Sequence, residues 1–220
     1  MISVIIPTFN SAKWLPEAIE SCIHQNCEVI VVDDGSQDNT LDICFNYPVY
    51  TIHQVNKGLA SARNTGIMNA SFNYVLPLDA DDKLMPNAIE RLEDIILKTR
   101  ADIVAPSFQE FGLSNRQVIL GKPTLEDFKT ANRIGYCAAI KRDSLREIGG
   151  YNPKMLYGWE DWDIWIDLLS RGKTLVTTQE ILWMYRIKEK SMYRDSLEHS
   201  EFLTKQMRLN HPQVYEMATK

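Results

Sequence analysis

Acidic side chains recur in this sequence where short apolar runs end. Asp33 and Asp34 follow Val29-Ile30-Val31-Val32, and Asp79, Asp81 and Asp82 follow Tyr74-Val75-Leu76-Pro77-Leu78. A further pair, Glu160-Asp161, stands between Trp159 and Trp162. If Asp33, Asp34, Asp79, Asp81 and Asp82 meet at one sheet edge, they repel and raise one another's pKa values. A divalent cation with oxygen ligands, Mg2+ or Mn2+, resolves that conflict. It takes one or two carboxylates and completes its shell with water and phosphate. Neither GxxxxGK[ST] nor GxGxxG occurs in the chain, so no glycine-rich loop is available to cradle phosphate. Metal would then neutralise most of the phosphate charge, with Lys57 or Arg63 assisting.

The elements that must position these groups alternate in the first hundred or so residues. Ser3–Pro7, Glu28–Val32, Val49–His53 and Tyr74–Leu78 are short and almost continuously apolar, the pattern of strands buried on both faces. Trp14, Leu15, Ala18, Ile19, Cys22 and Ile23 share one helical face, with Ser11 as the expected N-cap. A second helix follows Pro86, with Ala88, Ile89, Leu92, Ile95 and Ile96 inward. Such alternation predicts an α/β fold: a Rossmann-like domain with a mostly parallel central sheet flanked by helices. In open sheets of this kind ligands bind beyond the carboxyl ends of the strands. Four polar segments fall there: Pro7-Thr8-Phe9-Asn10, Asp33-Asp34-Gly35-Ser36, Asn56-Lys57-Gly58 leading to Arg63-Asn64, and Asp79–Asp82. Any one of them is also an ordinary turn or helix start; their convergence is what points to a site.

The second half is less regular. Ile103–Ala105, Cys137–Ile140 and Ile181–Tyr185 read as strands, Arg142–Ile148 as a short helix, and Asp161–Arg171 as a helix buried through Trp162, Trp165, Ile166 and Leu169. The length, 220 residues, suits one domain. Within it we expect a nucleotide-binding half over about 1–100, an acceptor-binding half over about 101–190 and a C-terminal helical tail over 191–220.

Bulk properties narrow the classes. A net charge of −5 with 24% charged residues gives no general nucleic-acid or membrane footprint. No window approaches the roughly 20 apolar residues of a membrane span. The opening run Met1–Pro7 reads as a strand and not as a signal peptide. A cytoplasmic protein, at most peripheral to a membrane, is the expectation. Cys22, Cys27, Cys44 and Cys137 lack CxxC spacing, so a zinc site with His24 gives way to reduced, mostly buried thiols.

The segments Ser-Val-Ile-Ile-Pro-Thr-Phe-Asn at 3–10, Val-Ile-Val-Val-Asp-Asp-Gly-Ser at 29–36, Asn-Lys-Gly-Leu-Ala-Ser-Ala-Arg-Asn-Thr-Gly at 56–66, Leu-Asp-Ala-Asp-Asp at 78–82, Ile-Gly-Gly-Tyr at 148–151 and Gly-Trp-Glu-Asp-Trp-Asp at 158–163 together resemble family 2 of the glycosyltransferases. Their order and spacing carry the likeness, over about residues 2–190. The resemblance implies a GT-A type fold and an inverting transfer of a sugar from a nucleotide-linked donor, with UDP the expected nucleotide. It implies that Pro7, Thr8 and Phe9 flank the base and that Asp34 hydrogen-bonds it. Arg63 would lie beside base or diphosphate. Asp79 and Asp81 match the DxD that holds ribose and the metal, with Asp82 a rival for the metal, and Asp161 matches the catalytic base. Trp159 and Glu160 would face the acceptor. Many relatives carry His shortly after Tyr-Arg; here Lys188 stands near that place, and its ammonium would pair with the diphosphate instead of ligating metal. Asp167 also stands where many relatives are basic.

The expected acceptor is a saccharide or a lipid-linked sugar. The competing readings are a modified nucleobase of DNA or a protein as acceptor, and a sugar-nucleotide-binding module without catalysis. A haloacid-dehalogenase-type phosphohydrolase would want DxDxT after the first strand, where this chain has Pro7-Thr8-Phe9-Asn10.

Overall fold

In a computed structural model, residues 1–189 and 196–216 are described. Ser191, which closes the stretch after Tyr185-Arg186, and residues 191–195 and 217–220 of the expected tail lie outside them.

The first four strands, β1 (Ile2–Thr8), β2 (Glu28–Asp33), β3 (Tyr50–His53) and β4 (Tyr74–Pro77), form a parallel sheet in the order β3-β2-β1-β4. Helices α1 (Leu15–Ile23), α2 (Thr40–Cys44) and α3 (Leu59–Asn69) make the crossovers. Both faces are covered, as the apolar runs require. Along β1, Ile5 packs in one core with α3, while Val4 and Ile6 pack in the other with α1. The period-two alternation of the strand thus feeds two hydrophobic layers, and each buried aliphatic contributes about 1.5–3 kcal/mol.

Beyond β4 the sheet continues as β8-β6-β9-β5, from β5 (Lys83–Leu84), β6 (Ile103–Gly112), β8 (Ala139–Lys141) and β9 (Leu175–Ile187), with β7 (Gln117–Val118) on β6. β8 runs antiparallel to β4 and β6, and β9 runs parallel to β6. The α/β expectation holds, with the parallel order confined mainly to the first half. Helix α4 (Ala88–Thr99) follows β5 and packs through Ala88, Ile89 and Leu92. Then come α5 (Leu125–Phe128), α6 (Arg142–Ile148), α7 (Glu160–Ser170), α8 (Ser200–Asn210) and α9 (Pro212–Tyr215).

Several local expectations are corrected. Ser11 does not cap α1 with its side chain: its hydroxyl bonds the Phe9 carbonyl, its own carbonyl accepts Trp14 and Leu15, and Trp14 takes the cap position. Trp14 therefore leaves the helix's buried face. In α7, Ile164 and Leu168 are buried beside Trp165 and Ile166, while Trp162 and Leu169 are only half-buried. The strands expected at 103–105 and 181–185 are parts of much longer ones, which pair along ten register positions with a bulge at Pro106-Ser107.

Among the described residues no helix is long and apolar enough to cross a membrane. Cys22, Cys44 and Cys137 are buried and Cys27 half-buried, all unpaired. Burial pushes the Cys22 thiol up to about 12 and Cys27 to about 11, so they behave as small apolar groups.

Candidate active site

The carboxyl ends of β1, β2 and β4 open into a cleft of about 600 Å3, a normal size for a small-molecule site. Its walls begin with the turn after β1. Asn10 adopts a left-handed conformation (φ 49°), which asparagine tolerates better than most residues. It is locked there by two bonds to the turn after β2: its N–H donates to the Ser36 hydroxyl at 2.9 Å, and its side-chain oxygen accepts the Gln37 N–H at 2.8 Å. Phe9 is thereby left 46% exposed at the mouth. Thr8 lines the cleft but is buried, and its hydroxyl, shielded from solvent, has no protein partner.

The five acids do not form one cluster. Consecutive residues at a strand end point to opposite faces, and Asp33 turns inward to His53 Nδ1 at 2.8 Å and the Ser36 N–H at 3.1 Å. Asp34 faces the cleft. It accepts from the Gln54 side chain at 2.7 Å and the backbone N–H groups of Lys57 and Gly58 at 2.9 and 2.8 Å. Those three bonds shape the 54–58 loop and leave one of about four acceptor directions open. Lys57 contributes its backbone here; its side chain is exposed and does not line the cleft.

The turn after β4 separates its three aspartates in the same way. Asp82 is buried, accepting from the Tyr136 hydroxyl at 2.5 Å and the Arg186 N–H at 2.6 Å. Burial, then Asp81 and Asp79, hold its carboxyl well above the usual range. Asp79 and Asp81 remain partly exposed, at 27% and 22% of the side chain, and both line the cleft. Burial first, with Asp81 and Glu160 adding to it against Arg63, raises the Asp79 carboxyl. Asp81 pairs with Lys188. No group of three or more metal-ligating acids, histidines or cysteines occurs among the described residues.

Arg63 lies beneath the cleft floor and not in it. The guanidinium is 1% exposed, bonds Asp79 at 2.8 Å and Glu160 at 2.5 Å, and sits between the rings of Tyr136 and Tyr151, 5.2 Å from each centroid. It ties the 79–82 turn to the start of α7; Glu160, though held by this bond, also lines a second, neighbouring cavity, as does Arg63 itself.

A second cavity of about 450 Å3 adjoins the first, sharing Leu59, Asp79 and Tyr185 with it. Asp161 and Trp159 line it. Trp159 takes a left-handed backbone (φ 63°) to start α7 and packs on Trp162 at 4.8 Å between centroids. Asp161 is fixed through both oxygens: its own helix donates the Trp162 N–H at 2.8 Å, and Asn132 donates its side-chain amide at 2.8 Å. Burial and then the Glu160 charge push the Asp161 carboxyl up to about 7, against Arg63 and these two bonds. A carboxyl poised there can take a proton near neutral pH.

Sequence reading missed several residues that build the site. Trp14 reads as core but stacks on Arg186, whose guanidinium lies 4.2 Å from both the Trp14 and Phe111 rings. Arg186 also bonds the Asp81 carbonyl at 2.7 Å, and Glu17. Asn132 and Tyr136 lie in an irregular stretch with no periodicity to single them out. Asp167 pairs with Arg171 at 2.7 Å on the outer face of α7.

An α/β sheet with an aspartate-lined cleft beyond its first strands, next to a cavity holding a poised carboxylate, defines a GT-A-like domain. The chain belongs to glycosyl transferase family 2, whose family model matches residues 3–149. The glycosyltransferase GlyG of Streptococcus pneumoniae serotype 4 is 37% identical over 124 residues, covering 52% of this chain and 41% of that protein. An uncharacterised glycosyltransferase of Rickettsia typhi is 28% identical over 219 residues, 91% of this chain and 68% of its own length. The chain thus spans less than half of GlyG. Among solved structures, TarS of S. aureus in complex with UDP-GlcNAc superposes with a TM-score of 0.74 at 18% identity, over 96% of this chain and 72% of that one. The mannosyltransferase PcManGT from Pyrobaculum calidifontis, in complex with GDP-Man and Mn2+, gives 0.66 at 18%, over 88% and 59%.

Proposed function

We propose that this chain is a metal-dependent, inverting glycosyltransferase that moves a sugar from a UDP-linked donor to a hydroxyl of a saccharide or lipid-linked acceptor. The observation that carries the reading is the junction of the two cavities at Leu59, Asp79 and Tyr185. A donor bound in the first would present its sugar at the junction, facing a carboxylate poised on the far side.

Each residue then has a task. Exposed Phe9 offers a face for the base to stack on. The free acceptor direction of Asp34 suits the N3–H of uracil. Asp79 and Asp81 suit a Mg2+ or Mn2+ ion: they are oxygen donors open to one cleft, and each carries a carboxylate only partly engaged by its one cationic partner, Arg63 or Lys188. Bound there, the ion would stabilise charge growing on the departing diphosphate. Asp82 is spoken for by Tyr136 and Arg186 and is not needed as a ligand. Asp161 takes the proton of the attacking hydroxyl, and Trp159 offers the acceptor an aromatic face. A single carboxylate opposite the leaving group is the arrangement for direct displacement with inversion, the geometric logic also seen in inverting glycosidases. TarS with UDP-GlcNAc supports the uridine donor, and PcManGT with Mn2+ supports the ion.

A panel of UDP-, GDP- and CDP-sugars, read by thermal shift and nucleotide release with Mn2+ or excess chelator, tests this. UDP should stabilise the protein more than CDP, because cytosine leaves the Asp34 acceptor unpaired at about 1–3 kcal/mol, and turnover should stop in chelator. Equal CDP binding, or full turnover without metal, would overturn it.

A further inference from the structure

Among the described residues the donor cleft is lined by two cationic side chains, Arg186 and Lys188, and they are held very differently. Arg186 is held by the Asp81 carbonyl, by Glu17 and by the Trp14 and Phe111 rings. Among the described residues the ion-pair partner of Lys188 is Asp81, and its side chain is 33% exposed. Its backbone is well placed nonetheless: β9 pairs with β6 out to Ile187, the Leu113 N–H bonds the Ile187 carbonyl at 3.1 Å, and Arg186 is stitched to Asp82. The result is a compact ammonium on a flexible stem, anchored at a rigid strand end, lying on one of the two carboxylates that suit a divalent ion.

We propose that Lys188 is an exchangeable tethered cation: it neutralises Asp81 in the free protein and transfers to the donor's diphosphate when nucleotide and metal bind. The inference rests on the donor reading above and adds a coupling between metal and nucleotide. A divalent ion arriving alone must displace an ammonium that cannot diffuse away, so the free protein binds it weakly. Once a diphosphate is present, Lys188 has a better partner, with two phosphates in place of one carboxylate. Asp81 is then released to the metal. Metal and nucleotide therefore bind with positive coupling, which must be equal seen from either ligand. Without metal, Lys188 still offers the diphosphate one charge, and some affinity remains.

Lys188→Met keeps the stem and removes the charge. Calorimetry with MnCl2 alone, and with UDP in excess EDTA, reads the two effects separately. The variant should bind Mn2+ about three- to tenfold more tightly than the parent, because Asp81 is unpaired, and bind UDP in EDTA more weakly by a similar factor, the range expected for a partly exposed ion pair. Opposite signs are the signature. If both affinities fall together, or neither moves, Lys188 is not an exchanging cation and the proposal is wrong while the donor site stands. If the parent binds no UDP even with Mn2+, the donor reading itself has failed. Circular dichroism of the variant separates any loss of fold from either result.

Discussion

As the proposed base, Asp161 answers two demands that oppose each other. A base must be ionised to accept a proton, yet its position beside Glu160 and away from water favours the neutral acid. The compromise is a carboxyl raised from 3.8 to about 7, so the acid limb of kcat/KM should fall below about pH 7. The same shift links to stability. A carboxyl whose folded value is above its unfolded value contributes stability that is fully present below about pH 4 and lost as pH rises through about 7. Asp161→Asn carries no such loss. Melting curves at pH 4, 6 and 8 should show the variant gaining on the parent with rising pH, the growth falling mainly between 4 and 8; a gap that does not change with pH would contradict the raised value. The position of Asp161 in the first turn of a tryptophan-rich helix was legible in the sequence. Asn132, which holds its other oxygen, was not: the bond spans 29 residues and joins a loop whose conformation no local pattern encodes.

Helix α3 shows how an element sets the site's height above the sheet. A Cβ on Gly66 would lie 2.3 Å from Ile5 Cγ2, so glycine lets α3 settle onto β1. Two residues earlier, Asn64 clasps the Tyr151 backbone through both its oxygen, at 2.8 Å, and its nitrogen, at 2.7 Å. Gly150 (φ 80°) leaves room for it, since a Cβ there would meet Asn64 Oδ1 at 2.4 Å. Next to these anchors Arg63 reaches Asp79 and Glu160. Arg63→Met should therefore cost about 3–5 kcal/mol, because it strands two acids in a buried setting. Chemical denaturation measures this; a loss under about 1 kcal/mol would return Arg63 to the ligand-binding role the sequence suggested. Strands β1 to β4 were legible as continuous apolar runs. The full lengths of β6 and β9 were not, since Pro106, Gln109 and Glu110 interrupt one, and Thr177, Thr178, Gln179 and Glu180 the other. Pairing with each other overrides local propensity there, and the bulge absorbs the proline.

Across the whole molecule, the parallel half of the sheet ends in the donor cleft, and the mixed half brings β9 and α7 back to face it. The sequence correctly concentrates acids at that edge, but it cannot show how the fold divides them. Asp33 goes to His53, Asp82 to Tyr136 and Arg186, Asp34 mostly to a loop, while Asp79 and Asp81, each with one cationic partner, stay partly exposed on the cleft. Division of labour between the halves is the central claim, and it predicts that chemistry and donor binding can be separated. Asp161→Asn preserves shape and most hydrogen bonding but cannot accept the proton. The decisive measurement is kcat together with the calorimetric Kd for UDP with Mn2+ in that single variant. The account predicts that kcat falls about 10²–10⁴-fold, the usual contribution of a positioned base, while Kd stays within a factor of about two, since its contacts lie across the junction. A kcat within a few-fold of the parent, or a Kd that collapses along with it, would contradict the account.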